Sequence, residues 1–321
     1  MTMGAVGLAR GMARAAGRGI RPAWDGVPRQ YTKALWLLPS LCSLWLSGPA
    51  AARAAPDGVE ALCRQLSRRL ASVDPADCLP RPWAQVEARS RAGRPLLRMD
   101  YGPVAGRRPR ARVLVVGGIH GDELTSVSIV FRWMRVLDRH HSGLFHWRMV
   151  PVLNPDGLLR RPARRMNARG VDLNRNFPTP DWRRAARRYW VERTRRNPRR
   201  YPGPAPLSEP ESRWLAALIH RFRPDAIVAV HAPHGILDYD GPPEPPNRLG
   251  HLHKHLLGTY PGSLGNYAGL QLGIPVLTLE LASAGRMPSP HRQRWLWRDM
   301  VRWLRDRLPR RHTVGLQAGP S

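Results

Sequence analysis

The sequence predicts an α/β fold, with a single domain in which a mostly parallel mixed central sheet is flanked by helices on both faces. From about residue 95 onward, short apolar runs alternate with helical stretches, as in proteins with a parallel sheet. Several polar residues directly follow these runs, and open α/β sheets bind ligands beyond the carboxyl ends of their strands. The chain has 321 residues with 42% hydrophobic content, enough for one substantial core.

Four apolar runs are predicted strands, and a polar residue or a turn follows each of them. The runs cover residues 112–116, 146–153, 226–230 and 274–279. Apolar residues at helical spacing predict helices over residues 59–70, 123–138 and 297–308. Another helix is predicted to begin at the sequence SEPE, residues 208–211, which has the form of a capping box with proline in the first turn. A functional site is therefore expected at the carboxyl edge of the sheet.

The formal net charge is +29, yet the distribution of charge argues against nucleic-acid binding. Only Lys33 and Lys254 are lysines among the 52 basic residues, and the arginines are scattered through nearly every segment. No RNA-binding module with interleaved aromatic residues and no DNA-binding helix pattern is present. We therefore expect no nucleic-acid partner. Attraction to an acidic peptide or a cell-wall polymer fits the charge better.

The N-terminal segment has the pattern of an export signal. A basic stretch precedes an apolar run at 34–46, and a small-residue sequence suited to cleavage follows at 50–55. The apolar run is short for a membrane-spanning helix. We predict a signal peptide or N-terminal anchor over 1–55, and a periplasmic or secreted protein with no stable membrane span after cleavage. A small helical appendage at 56–94, a catalytic domain at 95–309 and a tail at 310–321 complete the predicted organisation.

Export also bears on the cysteines. Cys42 lies in the apolar run and would be removed with it, which leaves Cys63 and Cys78. An even pair in an exported protein predicts a disulfide.

The sequence HGDE at residues 120–123 places an imidazole and a carboxylate three residues apart, directly after a predicted strand. A third donor, His231, follows another predicted strand. Two histidines and a glutamate form the protein ligand set of many catalytic zinc sites, because they leave one coordination position for water. We therefore predict one Zn²⁺ per chain, held by His120, Glu123 and His231.

A second cluster, RMNARGVDLNRNF at residues 165–177, supplies guanidinium groups and side-chain amides in a loop that contains glycine. A guanidinium is planar and binds a carboxylate through two parallel hydrogen bonds. The cluster therefore indicates recognition of a carboxylate.

Taken together, these motifs resemble the zinc carboxypeptidase family, from about residue 95 to 305 and in the same order. They are GGIHGDE at 117–123, NPDG at 154–157, GVDLNRNF at 170–177, SEPE at 208–211 and TLE at 278–280. The sequences HAP at 231–233, DYDG at 238–241 and YPGS at 260–263 are similar to its murein tripeptide amidase branch, whose members cut the γ-D-glutamyl–diaminopimelate bond of cell-wall peptides.

The resemblance implies a role for each matching residue. The metal ligands would be those already named, and Asp172 would orient His120 through its second ring nitrogen. Arg165 would polarise the scissile carbonyl, and Glu280 would act as general base. The remaining residues would bind substrate: Asn174 and Arg175 would hold its terminal carboxylate, and Tyr260, or alternatively Tyr267, would correspond to the mobile tyrosine of the family.

Three other functions fit the sequence less well. An ordinary metallocarboxypeptidase acting on L-peptides remains open. A deacylase of the aspartoacylase or desuccinylase type shares a similar histidine motif, but the NPDG sequence and the exported context favour the peptidase. A protein that binds cell-wall peptides without catalysis would be expected to lack one of the ligands, Arg165 or Glu280, and all of them are present.

Three further histidines, at positions 251, 253 and 255, alternate with other residues. They are expected on an exposed helix surface and not in a second metal site.

Overall fold

The computed structural model describes residues 58–309. The predicted leader and the predicted C-terminal tail lie outside the described residues, as does Cys42. No helix within the described range is long and apolar enough to cross a membrane.

An eight-stranded mixed sheet forms the centre of the domain. Its strands are β1 Met99–Tyr101, β2 Ala111–Val116, β3 Phe145–Val150, β4 Ala226–His231, β5 Ile236–Asp240, β6 Arg248–Leu249, β7 Leu252–Lys254 and β8 Val276–Glu280. The spatial order is β1-β3-β2-β4-β8-β5-β7-β6. The central strands β3, β2, β4 and β8 run parallel, whereas β1 pairs antiparallel with β3 and β5 with β8. The mixed α/β fold predicted from the sequence is therefore confirmed.

Helices cover both faces of this sheet. They are α1 Val59–Arg69, α2 Leu124–His140, α3 Pro155–Leu159, α4 Trp182–Arg188, α5 Pro210–Phe222 and α6 Pro290–Arg307. Alternate residues of β4 divide between two cores: Val228 packs with α2 and α6, and Ile227 packs with α5. Because both faces are buried, β4 is apolar up to His231, whereas β3 carries His146 and Arg148 at partly exposed positions.

The segment that precedes the sheet is part of the same core. Val59, Leu62 and Leu66 of α1 are buried together with residues of α2 and the sheet. Cys63 and Cys78 form a disulfide that ties α1 to the turn after it.

The structure corrects two local predictions. Helix α5 begins at Pro210 with Glu209 as its N-cap, and no side chain caps it. Ser208 instead donates to the Glu209 carboxylate at 2.9 Å and accepts from Asn176 at 3.0 Å, so the SEPE sequence joins two loops and does not form a capping box. The three histidines do not lie on a helix: His251 is in the turn between β6 and β7, His253 is within β7, and His255 follows that strand. Strand β7 forms here because it pairs with β5 along the sheet.

Candidate active site

The ends of three neighbouring strands bring the predicted site residues together. His231 is the last residue of β4, and its register partner on β8 is Glu280. His120 lies in the loop between β2 and α2. Gly121 follows it, and a Cβ there would lie 2.3 Å from the backbone of Gly157, so only glycine lets the two loops approach so closely. The parallel arrangement of β2, β4 and β8 therefore gathers residues from distant parts of the chain at one edge.

The three predicted metal ligands converge in the interior. The Nδ1 atom of His120 lies 2.7 Å from Oε1 of Glu123, and Nδ1 of His231 lies 3.0 Å from Oε2 of Glu123. The two Nδ1 atoms are 3.1 Å apart. Glu123 is the N-cap of α2, yet its side chain makes no capping bond. It turns toward the two imidazoles instead.

The charges of this cluster depend on one another. Burial alone would raise the pKa of Glu123, but the facing imidazoles of His120 and His231 outweigh it and hold the pKa well below its usual range. Burial alone would lower the pKa of His231, but the Glu123 carboxylate raises it. The carboxylate is therefore ionised at neutral pH, the form that binds a cation.

Asp172 lies between the three metal-ligand side chains and Arg165. Its carboxylate is fully buried, with Oδ1 3.3 Å from Nε2 of His120 and Oδ2 accepting from Nε of Arg165 at 2.9 Å. Burial favours the neutral acid, but the Arg165 guanidinium and His120 hold the pKa of Asp172 well below its usual range. Asp172 therefore lies beside Nε2 of His120, while Nδ1 of the same ring faces Glu123 and His231.

The donor set fits a zinc ion. Two imidazole nitrogens face each other and a shared carboxylate, all three side chains are buried, and their ligand atoms lie within 4.8 Å of one another. Within residues 58–309 this is the only such group of metal-binding side chains. His120, Glu123 and His231 would hold one zinc ion. When bound, zinc in such a set lowers the pKa of a coordinated water and polarises a carbonyl group.

Arg175 is buried in the same pocket with incomplete hydrogen bonding. Its Nη1 donates to the Asn174 carbonyl at 2.6 Å, but its Nε is buried without a hydrogen-bond partner. Burial lowers the pKa of this guanidinium to about 10, and the charge of Arg165 adds to the effect. The ring of Tyr260 lies 4.4 Å from the guanidinium carbon. An anionic ligand would complete the hydrogen bonds of Arg175.

Asn174 and Glu280 also line the pocket, and each has polar atoms without a hydrogen-bond partner in the part of the chain that the structure describes. Oδ1 of Asn174 accepts from the Leu264 amide at 2.8 Å, which leaves its Nδ2 as a donor toward the pocket. Glu280 is buried, and its Oε2 lacks a hydrogen-bond partner within the described chain. Of the two candidate tyrosines, Tyr260 lines the pocket, whereas Tyr267 stacks on Phe177 in the core and pairs with His220.

Two carboxylates to which sequence reasoning assigned no role line the floor of the pocket, which has a volume of about 580 Å³. Asp238 and Asp240 alternate along β5 and therefore share a face of the sheet. Asp238 accepts from the Leu257 amide at 2.9 Å, whereas the side chain of Asp240 has no hydrogen-bond partner within residues 58–309. Burial raises the pKa of Asp240 to about 7, with a contribution from Asp238.

Comparison with known proteins agrees with this geometry. The family model of zinc carboxypeptidases matches residues 84–240. The chain is 30% identical over 233 residues to murein peptide amidase A of Escherichia coli (strain K12), a match covering 69% of this chain and 90% of the relative. The chain belongs to the zinc carboxypeptidase family. A second relative, murein peptide amidase A of Vibrio campbellii, is 30% identical over 196 residues, which is 59% of this chain and 75% of that protein.

Solved structures support the same assignment. The murein-tripeptide amidase of Escherichia coli O157 superposes with a TM-score of 0.51 at 27% identity, covering 70% of this zinc carboxypeptidase and 92% of that chain. Carboxypeptidase A of Helicoverpa armigera shares the fold, with a TM-score of 0.54 at 17% identity over 76% of this chain and 70% of that one. Membership of the family and the donor set make this protein a hydrolytic metalloenzyme suited to one zinc ion.

Proposed function

We propose that this enzyme hydrolyses the γ-D-glutamyl–diaminopimelate amide of murein peptides, next to a free carboxylate. The relatives at 30% identity are murein peptide amidases, which supports this substrate class. The main observation behind the proposal is that two side chains of opposite charge in one pocket have no ion-pair partner within residues 58–309. They are the Arg175 guanidinium and the Asp240 carboxylate.

Diaminopimelate matches both charges. Its carboxylate next to the scissile amide would bind Arg175 and Asn174, while the ammonium at the end of its side chain, on the carbon that also bears the second carboxylate, would reach Asp240. Gly265 makes room for this acid, because a Cβ at that position would lie 1.9 Å from Oδ2 of Asp240. A buried charge without a partner is costly, so a complementary ligand recovers part of that cost on binding.

The catalytic residues are proposed from their places around the donor set. Glu280, with its unpartnered Oε2 beside His231, would accept the proton of the attacking water and pass it to the leaving amine. Arg165, whose Nη1 lies 3.7 Å from Glu123, would donate to the oxygen of the scissile carbonyl as negative charge develops there. Asp172 holds the Arg165 guanidinium in place for this role.

An ordinary carboxypeptidase acting on L-peptides is the second candidate. The ammonium of a C-terminal lysine would also bind Asp240. The relatives at 30% identity favour murein peptides over this class. A deacylase that removes small acyl groups would not need both charged positions of the pocket.

Product analysis tests the choice directly. The zinc-loaded protein would be incubated with L-Ala-γ-D-Glu-diaminopimelate, hippuryl-lysine and N-acetylaspartate, and the products identified by mass. Release of diaminopimelate with the highest kcat/KM supports the proposal. Faster release of lysine from hippuryl-lysine would transfer the assignment to an L-peptide carboxypeptidase, and acetate release would indicate a deacylase.

We also propose that the enzyme acts outside the cytoplasm. The export pattern over residues 1–55 supports this location, and so does the disulfide between Cys63 and Cys78, since disulfides persist in oxidising compartments. Cell fractionation with an antibody, alongside N-terminal sequencing of the purified protein, tests both the location and the cleavage of the leader.

A further inference from the structure

A third arginine in the pocket, Arg200, has no place in the roles described so far. It ends the short helical turn Pro198–Arg200, is half-buried and lines the same cavity as the metal donors. Its neighbour Arg199 pairs with Asp122 at 2.7 Å, and Arg165 pairs with Asp172. Arg200 forms no ion pair within residues 58–309.

The backbone around Arg200 is well anchored. The carbonyl of Tyr201 accepts from the amide of Asp172 at 2.8 Å, which ties this segment to the residue that holds Arg165. On the other side, the Asn197 side chain caps the turn by accepting from the Arg199 amide, and the Asn197 carbonyl accepts from Trp190. The base of the Arg200 side chain is therefore held at the pocket wall independently of any ligand.

The electrostatic surroundings of Arg200 favour an anion. Burial lowers the pKa of its guanidinium, and among charged groups Arg165 adds most to this effect. Arg175 is a further positive neighbour, since Arg200 contributes to the lowered pKa of Arg175. The carboxylate next to the scissile amide is assigned to Arg175, and the second carboxylate of diaminopimelate shares a carbon with the ammonium assigned to Asp240. Arg200 is therefore a positive charge without an assigned counterpart.

We propose that Arg200 binds a carboxylate on the acyl side of the scissile amide, the free α-carboxylate of a γ-linked glutamyl residue. This inference rests on the proposed function. Arg165 is the residue expected to face the scissile carbonyl, and Arg200 lines the same pocket, where the charge of Arg165 acts on it. In a γ-glutamyl amide, the α-carboxylate is separated from that carbonyl by only three carbon atoms, whereas an α-linked peptide has a carboxylate at that separation only when the acyl-side residue is itself glutamate.

Recognition of this group would favour the γ-glutamyl bond over α-linked bonds whose acyl-side residue is neutral or basic. It would also make the enzyme sensitive to amidation of the glutamyl residue, because a carboxamide is neutral and cannot form a charge-assisted pair. Arg200 would then bind the carboxylate on the acyl side of the scissile amide, and Arg175 would bind the carboxylate on the leaving side.

The test compares two substrates that differ only at this carboxylate. They are L-Ala-γ-D-Glu-diaminopimelate and its D-isoglutamine counterpart, each with the zinc-loaded wild type and Arg200→Gln. We expect Arg200→Gln to lower kcat/KM for the first substrate about tenfold or more, and to leave the second nearly unchanged. Arg200→Lys should recover part of the loss. Arg193→Gln, an exposed arginine of the same segment outside the pocket, is the matched control.

An equal loss for both substrates would overturn the proposal, because the variant would then affect the pocket generally or the leaving-side carboxylate. A second measurement does not depend on turnover: calorimetry would give the binding affinities of the fragments L-Ala-D-Glu and L-Ala-D-isoglutamine. Tighter binding of L-Ala-D-Glu by the wild type, lost in Arg200→Gln, would support Arg200 even if neither tripeptide were cut. In that case only the proposed function would fail. Equal binding of both fragments by the wild type would contradict the proposal.

Discussion

His231 and Glu280 are register partners at the carboxyl ends of the neighbouring parallel strands β4 and β8. One strand thereby presents a metal donor and the next presents a carboxylate whose Oε2 has no protein partner. Hydrogen bonding between the strands fixes the spacing of the two side chains. Side chains carried by the strands of a central sheet are held more precisely than side chains on loops.

Glu280→Gln should reduce kcat by about 10²–10⁴ while zinc content and substrate affinity stay close to wild type, because the amide is nearly isosteric but cannot accept a proton. Steady-state kinetics with elemental analysis checks this. The matched control is Glu244→Gln, an exposed carboxylate on a proline-rich loop. Activity of Glu280→Gln equal to that of the wild type would remove Glu280 from the mechanism.

The protein should bind one zinc per chain, and His120→Ala or His231→Ala should lose most of it, since two donors do not make a stable site. His234→Ala is the control: it lies three residues after His231 and lines the pocket, yet it is outside the donor set and should keep the metal. Full zinc occupancy in a His120→Ala/His231→Ala double variant would show that the metal binds elsewhere.

Arg175→Ala should raise KM more than it lowers kcat, because the guanidinium binds a carboxylate present in both the ground state and the transition state. A substrate whose terminal carboxylate is replaced by an amide should show little further loss with the variant. Kinetics on the four combinations of enzyme and substrate form a double-mutant cycle. Additive effects of the two changes would show that Arg175 does not contact the carboxylate.

Asp240 predicts a pH dependence of substrate binding. Because its pKa is about 7, KM for a substrate with a side-chain ammonium should fall as pH rises through 7 and Asp240 becomes ionised. Asp240→Asn should raise KM at pH 8 and flatten the profile. A substrate with a neutral side chain serves as the control and should show neither effect. An unchanged profile in Asp240→Asn would assign the titration to another group.

The same acid should affect stability in the opposite direction. Its pKa in the folded protein is raised above that of the unfolded chain, so the stabilising contribution of neutral Asp240 is lost as pH rises toward 7. Asp240→Asn should therefore be more stable than wild type at pH 8 and similar at pH 3. Denaturant unfolding at the two pH values measures the difference.

The Cys63–Cys78 disulfide spans 15 residues and should stabilise the protein by about 3 kcal/mol through restriction of the unfolded chain. The Cys63→Ser/Cys78→Ser variant should unfold at lower denaturant concentration but keep its kcat, because neither cysteine lines the pocket. Peptide mapping of the purified protein without reductant checks the pairing. Two free thiols would contradict it.

The sequence alone was sufficient for the α/β class, the central strands and the metal donors. A continuous run of apolar residues predicts a strand that is buried on both faces. The sequence HGDE at 120–123 directly follows one such run. For Arg165, Arg175 and Glu280, resemblance to a family supplied the roles, because an arginine in an arginine-rich chain carries no signal of its own.

Only the tertiary structure showed which polar groups lack partners. Whether Asp240 or Arg200 is compensated depends on neighbours from other segments, such as Gly265 beside Asp240, and those neighbours are set by packing. The sequence likewise did not separate Tyr260 from Tyr267 as the candidate site tyrosine. In the structure, Tyr260 lines the pocket and Tyr267 stacks in the core. Local sequence patterns report burial and strand ends, whereas the pairing of charges across a pocket depends on contacts between residues far apart in the chain.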